Sequence, residues 1–382
     1  MSETPSTGVG ALPARFLDPT TPVQFDEQWG SWQVFSYDDV SRILIDDTRF
    51  SADYGPLFDV HPTFAGMWGA DDPRHADLRA IADDPFRPRV LAELTPQIRA
   101  IADELLDGVL DRQQNTIEVM ADLAKPLGFR VTCLILDVDT SDDRRLMQWQ
   151  DELTAAQTVG QLPSQPDLVE YLRALLEARR RHPRQSLVDE LISAHQRGYQ
   201  VAGQPLSEWD LLGYMSMLLS AGSETAAAGL GNALLAFVQF DCLQQLRADR
   251  SMIATALEEA LRWNPPFPAI RRTVKQAVEL GGHPIEKGQF VTAWVSAANR
   301  DASRFPQPDR FLLRRSPNRH LTFGWSKHHC LGAPLAQLEL RIALEALLDR
   351  VPLPLRVDPA QPVDYRFAIV HAPQEAHFIF GP

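Results

Sequence analysis

The residue type best suited to bind a metal is the cysteine at position 330. It stands in the segment Phe323-Gly324-Trp325-Ser326-Lys327-His328-His329-Cys330-Leu331-Gly332. Apolar residues then recur at helical spacing, so Cys330 is predicted to stand at the N-terminus of a helix. The unpaired amides and the positive end of the helix dipole favour a thiolate there over a thiol. Small neighbours would let the backbone approach a flat ligand and donate N–H groups to the sulfur (Gly324, Ser326, Gly332 and Ala333).

Two other interpretations of this segment stay open on the residues alone. Cysteine is among the most buried residue types, so Cys330 could be structural. A zinc site could also be drawn from four residues (His320, His328, His329 and Cys330). Adjacent His-His-Cys lacks the paired C-x-x-C spacing that tetrahedral zinc sites usually show, which disfavours zinc.

A second chemically unusual segment is Ala221-Gly222-Ser223-Glu224-Thr225. It lies inside an unusually long apolar stretch, Asp210 to Phe240, which is predicted to cross the protein interior as a helix. A glycine, an acid and a threonine are poor choices for a buried helix on propensity alone. A kink packed against a neighbour would be the structural explanation.

Charged residues also recur at helical spacing. Glu259 and Arg262 are three residues apart and can pair on one helix face, as many exposed helix pairs do. His75 and Arg79 are four residues apart, and Arg272 precedes the turn at Gly281-Gly282. Taken singly, each such His or Arg is more often a solvated surface residue.

Together and in this order, these segments resemble the cytochrome P450 family from about Trp32 to the C-terminus. The cysteine segment is similar to that family's haem-binding loop, Phe-Gly-x-Gly-x-His-x-Cys-x-Gly. Five positions match (Phe323, Gly324, His328, Cys330 and Gly332), and Ser326 replaces the second glycine. The resemblance implies a haem-thiolate monooxygenase that holds haem b (iron protoporphyrin IX) through Cys330.

The resemblance also implies roles for the other motifs. Ala221 and Gly222 would lie over the distal face of the haem, where local widening of the helix leaves room for dioxygen. Glu224 and Thr225 would organise proton delivery. The haem propionates would be bound by cationic side chains (His75, Arg79, Arg272 and, as a fourth candidate, His320).

The pair Glu259 and Arg262 would be the family's buried structural pair. Its third partner would be a downstream arginine, for which Arg310 and Arg314 are the candidates. The walls of the substrate pocket would be largely apolar and aromatic (Phe58, Phe64, Trp68, Met217, Leu218, Pro268, Ile270 and Ile369). Such walls suit a lipophilic or aromatic small molecule.

Electrons would have to arrive from outside, because no glycine-rich flavin or nicotinamide fingerprint is present. The resemblance implies a ferredoxin and its reductase, docking on a basic patch that includes Lys327 and either Arg87 or Arg89. Hydroxylation or epoxidation in secondary-metabolite tailoring is the expected reaction. Oxidative coupling, desaturation, a non-catalytic haem-binding protein and a zinc-binding helical module are the alternatives.

The fold that must position these residues is predicted to be mainly α, with a small β-rich portion built from both ends of the chain. Helical spacing predicts helices over Leu91–Leu110, Leu168–Arg181, Ser186–Arg197 and Glu208–Phe237, and strands are predicted at Gln33–Phe35, Phe290–Val295 and Ala368–Val370. The resemblance implies the cytochrome P450 fold, with the haem between the long distal helix and the cysteine-loop helix. Residues 1–12 are expected to be disordered and 13–382 to form a single catalytic domain.

Composition excludes several classes of function for these 382 residues. The net charge of −13 argues against non-specific nucleic-acid binding. Apolar runs of about 18 residues are absent, so no membrane span is expected, and the N-terminus does not resemble a signal peptide. Three widely spaced cysteines indicate a reducing, cytoplasmic setting rather than a disulfide framework.

Overall fold

The computed structural model describes residues 21–53, 66–138, 145–149, 152, 166–184, 186–367 and 370–381. The chain divides into two compact units. The β-rich unit comprises Met1–Phe50, Thr95–Leu127 and Thr225–Pro382, and the helical unit comprises Ser51–Leu94 and Gly128–Glu224. The segment predicted to be disordered, 1–12, lies outside the described residues.

Helices dominate the described residues. They are α1 (Tyr37–Ile45), α2 (Arg74–Ala82), α3 (Pro88–Leu110), α4 (Lys125–Leu136), α5 (Pro166–Arg181), α6 (Leu187–Gln196), α7 (Glu208–Gln239), α8 (Leu243–Ala248), α9 (Ile253–Trp263), α10 (Val295–Ala298) and α11 (Ala333–Arg350). A π-helical turn covers Met120–Ala124, and 3-10 turns cover Arg250–Met252 and Ser326–His328. The four helices predicted from apolar spacing are confirmed as α3, α5, α6 and α7.

The strands are short. They are β1 (Val23–Asp26), β2 (Ser31–Val34), β3 (Phe50–Ser51), β4 (Thr116–Glu118), β5 (Gln200–Val201), β6 (Gln204–Pro205), β7 (Ile270–Val274), β8 (Val278–Leu280), β9 (His283–Ile285), β10 (Phe290–Ala293), β11 (Leu355–Val357), β12 (Asp364–Phe367), β13 (His371–Glu375) and β14 (His377–Phe380). The strand predicted at Phe290–Val295 ends early because Val295 begins α10. At Val370, the described residue of the predicted strand Ala368–Val370, the chain bends between β12 and β13.

The largest sheet combines N-terminal strands with strands from residues 270–293, so the β-rich portion draws on early and late parts of the chain, as predicted. Its strand order is β1-β2-β10-β7-β3. Strand β10 runs parallel to β2 and antiparallel to β7, with Val291 opposite both Trp32 and Arg272. One face packs on α1 through a buried apolar cluster that includes Val34, Ile43 and Leu321.

Helix α7 spans 32 residues and is apolar over most of its surface, which explains why it is buried. Its start is fixed by a capping box: the Asp210 amide donates to Ser207 Oγ at 3.2 Å, and the Ser207 amide donates to the Asp210 carboxylate at 2.8 Å. Its end is marked by Asp241, at φ 49°, after which the Cys242 amide donates to Phe237 O at 2.8 Å. None of the described helices, α7 included, combines the length and the hydropathy that a membrane span requires.

Candidate active site

The cysteine segment forms a tight loop that leads into α11. The Cys330 amide donates to Phe323 O at 2.7 Å, which closes the loop. Gly332 is the N-cap of α11, so Cys330 lies three residues before the first helical residue, Ala333. The predicted position of Cys330 at a helix start is therefore confirmed.

The thiol of Cys330 differs from the other two in exposure. Cys330 is exposed, whereas Cys133 and Cys242 are buried. Burial raises the pKa of the Cys242 thiol to about 11. An accessible sulfur beside the unpaired amides of a helix start is what a thiolate metal ligand requires, so the residues present fit a thiolate-bound haem iron.

Two residues of the loop adopt a left-handed backbone. Gly324 has φ 69°, and a Cβ added there would come within 3.2 Å of His328 O, so a glycine is strongly favoured. Ser326 has φ 60°, at the position where the haem-binding loop usually has glycine. The serine therefore keeps the glycine-like conformation and carries the steric cost of its Cβ.

The zinc set proposed as an alternative is not assembled in the part of the chain that the structure describes, where no metal-binding group of three such residues occurs. His320 Nε2 lies 2.9 Å from Glu258 Oε2, and His320 Nδ1 accepts the Thr322 amide at 3.4 Å. Both ring nitrogens are thus used. Burial by itself would raise the pKa of Glu258, but the hydrogen bond and the charge of His320 lower it overall.

Glu259 and Arg262 on α9 form a fully buried ion pair. Arg262 donates Nε to Glu259 Oε2 at 2.7 Å and Nη2 to Oε1 at 2.9 Å. The third partner is Arg315, whose Nε donates to Glu259 Oε2 at 2.9 Å. The expectation of Arg310 or Arg314 was therefore wrong.

The two expected arginines are used elsewhere. Arg314 points to the surface and pairs with Asp249 at 2.6 Å. Arg310 donates Nη1 to Gln307 Oε1 at 3.2 Å and contributes its backbone carbonyl to Arg262 and Arg315. Arg314 and Arg315 are adjacent, and local sequence does not say which one faces inward.

Asn299 connects this cluster to the cysteine loop. Its carbonyl accepts Arg262 Nη1 at 2.9 Å. Its side chain accepts the Leu321 amide at 2.8 Å and donates to Thr322 Oγ1 at 3.0 Å, and Thr322 Oγ1 donates to Leu261 O at 2.9 Å. The start of the loop is therefore held to α9 by buried hydrogen bonds. The sequence analysis missed Asn299 and Thr322 in this role, because only the tertiary path brings them together.

The segment Ala221–Thr225 of α7 is continuous α-helix. The expected local widening is therefore not seen. A Cβ added at Gly222 would come within 2.6 Å of Thr132 Oγ1, so this glycine permits close packing against α4. Ser223 is buried and donates to Leu219 O at 2.9 Å, whereas Ala221 is exposed and Glu224 and Thr225 are half-buried.

The expected propionate ligands fall in different units. His75 and Arg79 lie on α2 of the helical unit, with His75 Nδ1 3.6 Å from Asp72 and Arg79 Nε 3.5 Å from Asp83. Arg272 is buried in β7 of the β-rich unit and donates to Arg271 O at 2.9 Å. Cationic side chains of this kind suit carboxylates.

The expected pocket residues are only partly described. Phe58, Phe64 and Ile369 lie outside the described residues. Trp68 is exposed, and Met217 and Leu218 are half-buried on α7. Pro268 is buried and its carbonyl accepts the Ser296 amide at 3.0 Å, and Ile270 packs against the sheet core.

Comparison with known proteins gives consistent matches. The family model "Cytochrome P450" matches residues 238–380. The chain is 32% identical over 345 residues to putative cytochrome P450 YjiB of Bacillus subtilis (87% of this chain, 84% of that protein). It is 34% identical over 335 residues to cyclomarin C epoxidase CymV of Salinispora arenicola (84% and 83%).

A solved structure agrees with these sequence matches. HmtN, a post-tailoring hydroxylase involved in himastatin biosynthesis, superposes with a TM-score of 0.85 at 34% identity and covers 95% of this chain and 94% of its own. The chain therefore belongs to the cytochrome P450 family, and it is a haem-iron monooxygenase, an oxidoreductase that incorporates oxygen into a small molecule.

Proposed function

We propose that this cytochrome P450 inserts one atom of dioxygen into a lipophilic or aromatic small molecule, and that Cys330 would hold the iron of haem b. The observation that supports this most directly is the accessible Cys330 thiol at the start of α11. When bound, the haem would supply the one-electron and dioxygen chemistry, which a thiolate ligand promotes by donating electron density to the iron.

The ligand is tested by replacing Cys330 with alanine. The reduced carbon monoxide complex of the wild type should absorb near the wavelength for which the family is named, and Cys330→Ala should lose both that band and turnover. Cys242→Ala is the matched control, because that thiol is buried and donates to Phe240 O at 3.3 Å. A Cys330→Ala protein that kept the band would overturn the assignment.

We assign proton delivery to Glu224 and Thr225, which are adjacent on α7. The Thr225 hydroxyl can donate one proton and accept another in its place. The Glu224 carboxyl can supply this second proton, directly or through water. Thr225→Ala should lower the ratio of product formed to electrons consumed. Ser223→Ala removes a hydroxyl already used at Leu219 O, so it should leave that ratio unchanged.

We assign the haem propionates to His75, Arg79 and Arg272. Each presents a cationic or hydrogen-bonding group that suits a carboxylate. His320 is omitted because its ring nitrogens are used by Glu258 and Thr322. Arg272→Leu should weaken haem retention, measured as haem lost to apomyoglobin over time. Equal loss from the variant and the wild type would contradict this assignment.

We propose a ferredoxin, reduced by its reductase, as the electron donor, with its docking surface near Lys327. Lys327 is exposed and pairs with Asp47 at 2.5 Å. Lys275 lies beside that pair, since its Nζ donates to Asp47 O at 3.1 Å. The Lys275 amide also donates to Arg49 O at 2.7 Å, which places Arg49 nearby. Asp46 and Asp47 pair with two of these three cations, which leaves a local charge of +1 in a chain whose net charge is −13. Lys327→Glu should slow reduction and reduce its salt dependence, whereas exposed Lys287→Glu should not.

The reaction is proposed to be hydroxylation or epoxidation in secondary-metabolite tailoring. Among relatives, CymV is named an epoxidase and HmtN a post-tailoring hydroxylase. Product formed under labelled dioxygen separates oxygen insertion, which incorporates the label, from coupling or desaturation, which does not. Substrate-dependent consumption of reducing equivalents distinguishes an enzyme from a non-catalytic haem protein. A cytoplasmic location is proposed because three widely spaced cysteines do not make a disulfide framework.

A further inference from the structure

One face of α7 after Thr225 is covered by the hairpin of β12 and β13. Ala228 packs in a buried cluster with Val370 and Ala372, against which Phe267 also packs. A Cβ added at Gly231 would come within 3.1 Å of Pro373 Cγ. Met120 Sδ would lie nearer still, at 2.6 Å, so Met120 and β13 together leave little room for a side chain at position 231.

A buried polar network holds this hairpin to α7. The Tyr365 hydroxyl donates to Asn232 Oδ1 at 3.0 Å. Asn232 Nδ2 donates to His371 O at 3.0 Å and to Asn264 O at 3.2 Å. One asparagine thus bonds both strands of the hairpin and the end of α9. Burial raises the pKa of Tyr365, so its hydroxyl keeps its proton and remains a donor.

The network also fixes the segment after α9. The His371 amide donates to Pro266 O at 2.8 Å, one residue before Phe267. Asn264 Nδ2 lies 3.4 Å from the Tyr365 hydroxyl. These hydrogen bonds join both strands to the helix inside the protein and allow few alternative arrangements, so the hairpin has a defined register on the helix.

This register brings Val370 towards Thr225. Pro373 lies beside Gly231, and Val370 packs against Ala228, which is three residues from Thr225 along α7. Three helical residues correspond to about 4.5 Å along the axis and lie on one face. Val370 and Phe267 therefore stand within about one helical turn of the residue to which proton delivery is assigned.

We propose that Asn232 and Tyr365 are positioning residues, which act through Val370 to set the distance between the hairpin wall and the reacting end of the substrate. This inference rests on the proposed function, since it takes the face of α7 that carries Thr225 as the reacting side. The network makes no contact with substrate itself. It would decide how bulky a molecule fits and which of its atoms is oxidised.

The test uses the haem-loaded protein and three probes: imidazole, 4-phenylimidazole and a biphenyl-substituted imidazole. The imidazole nitrogen binds ferric iron in each case, and the aryl group adds contact with the pocket wall. Tyr365→Phe removes only the hydroxyl, which donates to Asn232 at 3.0 Å and accepts the longer bond from Asn264 at 3.4 Å. We expect an unchanged dissociation constant for imidazole and a roughly three- to tenfold change for the aryl probes, which corresponds to one buried hydrogen bond.

Two further variants identify the route. Val370→Ala alters the wall directly, so its effect on aryl-probe binding should not add to that of Tyr365→Phe. Tyr37→Phe is the matched control, because it also removes one hydroxyl bond, to Arg319 O at 2.8 Å, and it should change no dissociation constant.

The outcomes are distinguishable. Additive effects of Tyr365→Phe and Val370→Ala, unchanged aryl-probe binding, or a parallel change for imidazole itself would overturn the positioning role. A wild-type protein that shifts its spectrum with none of the three probes would instead contradict the proposed function.

Discussion

The carboxylate of Glu259 lies 2.7 Å from Nε of Arg262, and neither side chain has any exposed surface. Arg315 makes a second buried ion pair with the same carboxylate, so one negative charge serves two guanidinium groups. Backbone carbonyls of residues 299 to 310 accept six further hydrogen bonds from the two guanidinium groups. The cluster therefore fixes the path of the chain before the cysteine loop.

Glu259→Gln should prevent stable folding. The amide keeps the shape of the side chain but leaves two buried guanidinium groups without a carboxylate, a loss of about 3 to 5 kcal/mol. Urea unfolding and the ratio of haem to protein measure the effect. Glu258→Gln, which loses a partly exposed contact with His320, is the control and should cost less than about 1.5 kcal/mol. Equal stability of the two variants would refute the central role of Glu259.

Ser326→Gly should stabilise the protein by about 0.5 to 1 kcal/mol, because φ 60° costs a serine more than it costs a glycine. Gly324→Ala should have the opposite effect, since its φ is 69° and its new Cβ would press on His328 O. Thermal unfolding of the haem-loaded proteins provides the measurement. If Ser326→Gly lowered the melting temperature, the serine side chain would have to stabilise the loop in some other way.

Gly222→Ala should destabilise the protein by about 1 to 3 kcal/mol, because the added Cβ overlaps Thr132 Oγ1. Thr132→Ala in the same protein should restore part of the loss, which a double-mutant cycle in urea would detect. Gly229→Ala is the control. Its Cβ would lie 3.6 Å from Leu340, an ordinary contact, so the better helix propensity of alanine should show as a gain of up to about 1 kcal/mol.

Glu339 should make stability depend on pH. Burial raises the pKa of this α11 carboxyl from 4.5 to about 8. Between these values the folded protein keeps the proton and the unfolded chain does not, so the free energy of unfolding falls as pH rises, by up to about 1 kcal/mol per unit. Glu339→Gln should therefore gain stability over the wild type as pH is raised towards 8. A difference between Glu339→Gln and the wild type that did not change with pH would contradict the raised pKa.

Local signals were sufficient for the helices and for the position of Cys330. The apolar stretch of α7 and the apolar spacing that follows Cys330 in α11 repeat within a few residues, so periodicity identified both helices. The pairing of Glu259 with Arg262 could be predicted for the same reason, since both side chains lie on one turn of α9.

Contacts between residues far apart in the sequence could not be predicted in this way. Thr132 meets Gly222 from a helix 90 positions earlier, and the expected helix widening was wrong because the glycine serves that contact instead. Asn232 and Tyr365 are 133 residues apart. The Arg315 side chain points inward because backbone carbonyls accept its guanidinium protons. The path of residues 299 to 315 positions these carbonyls, so the neighbouring side chains alone do not predict the orientation of Arg315.

The torsion angle of Ser326 has a consequence for how such loops are recognised. A search pattern that demands glycine at this position would pass over the chain, although its backbone there turns in the sense that glycine normally supplies. At position 326 the motif therefore specifies a left-handed backbone conformation, and glycine is only the residue that most commonly supplies it. Relatives with serine or asparagine at this point should be sought by geometry.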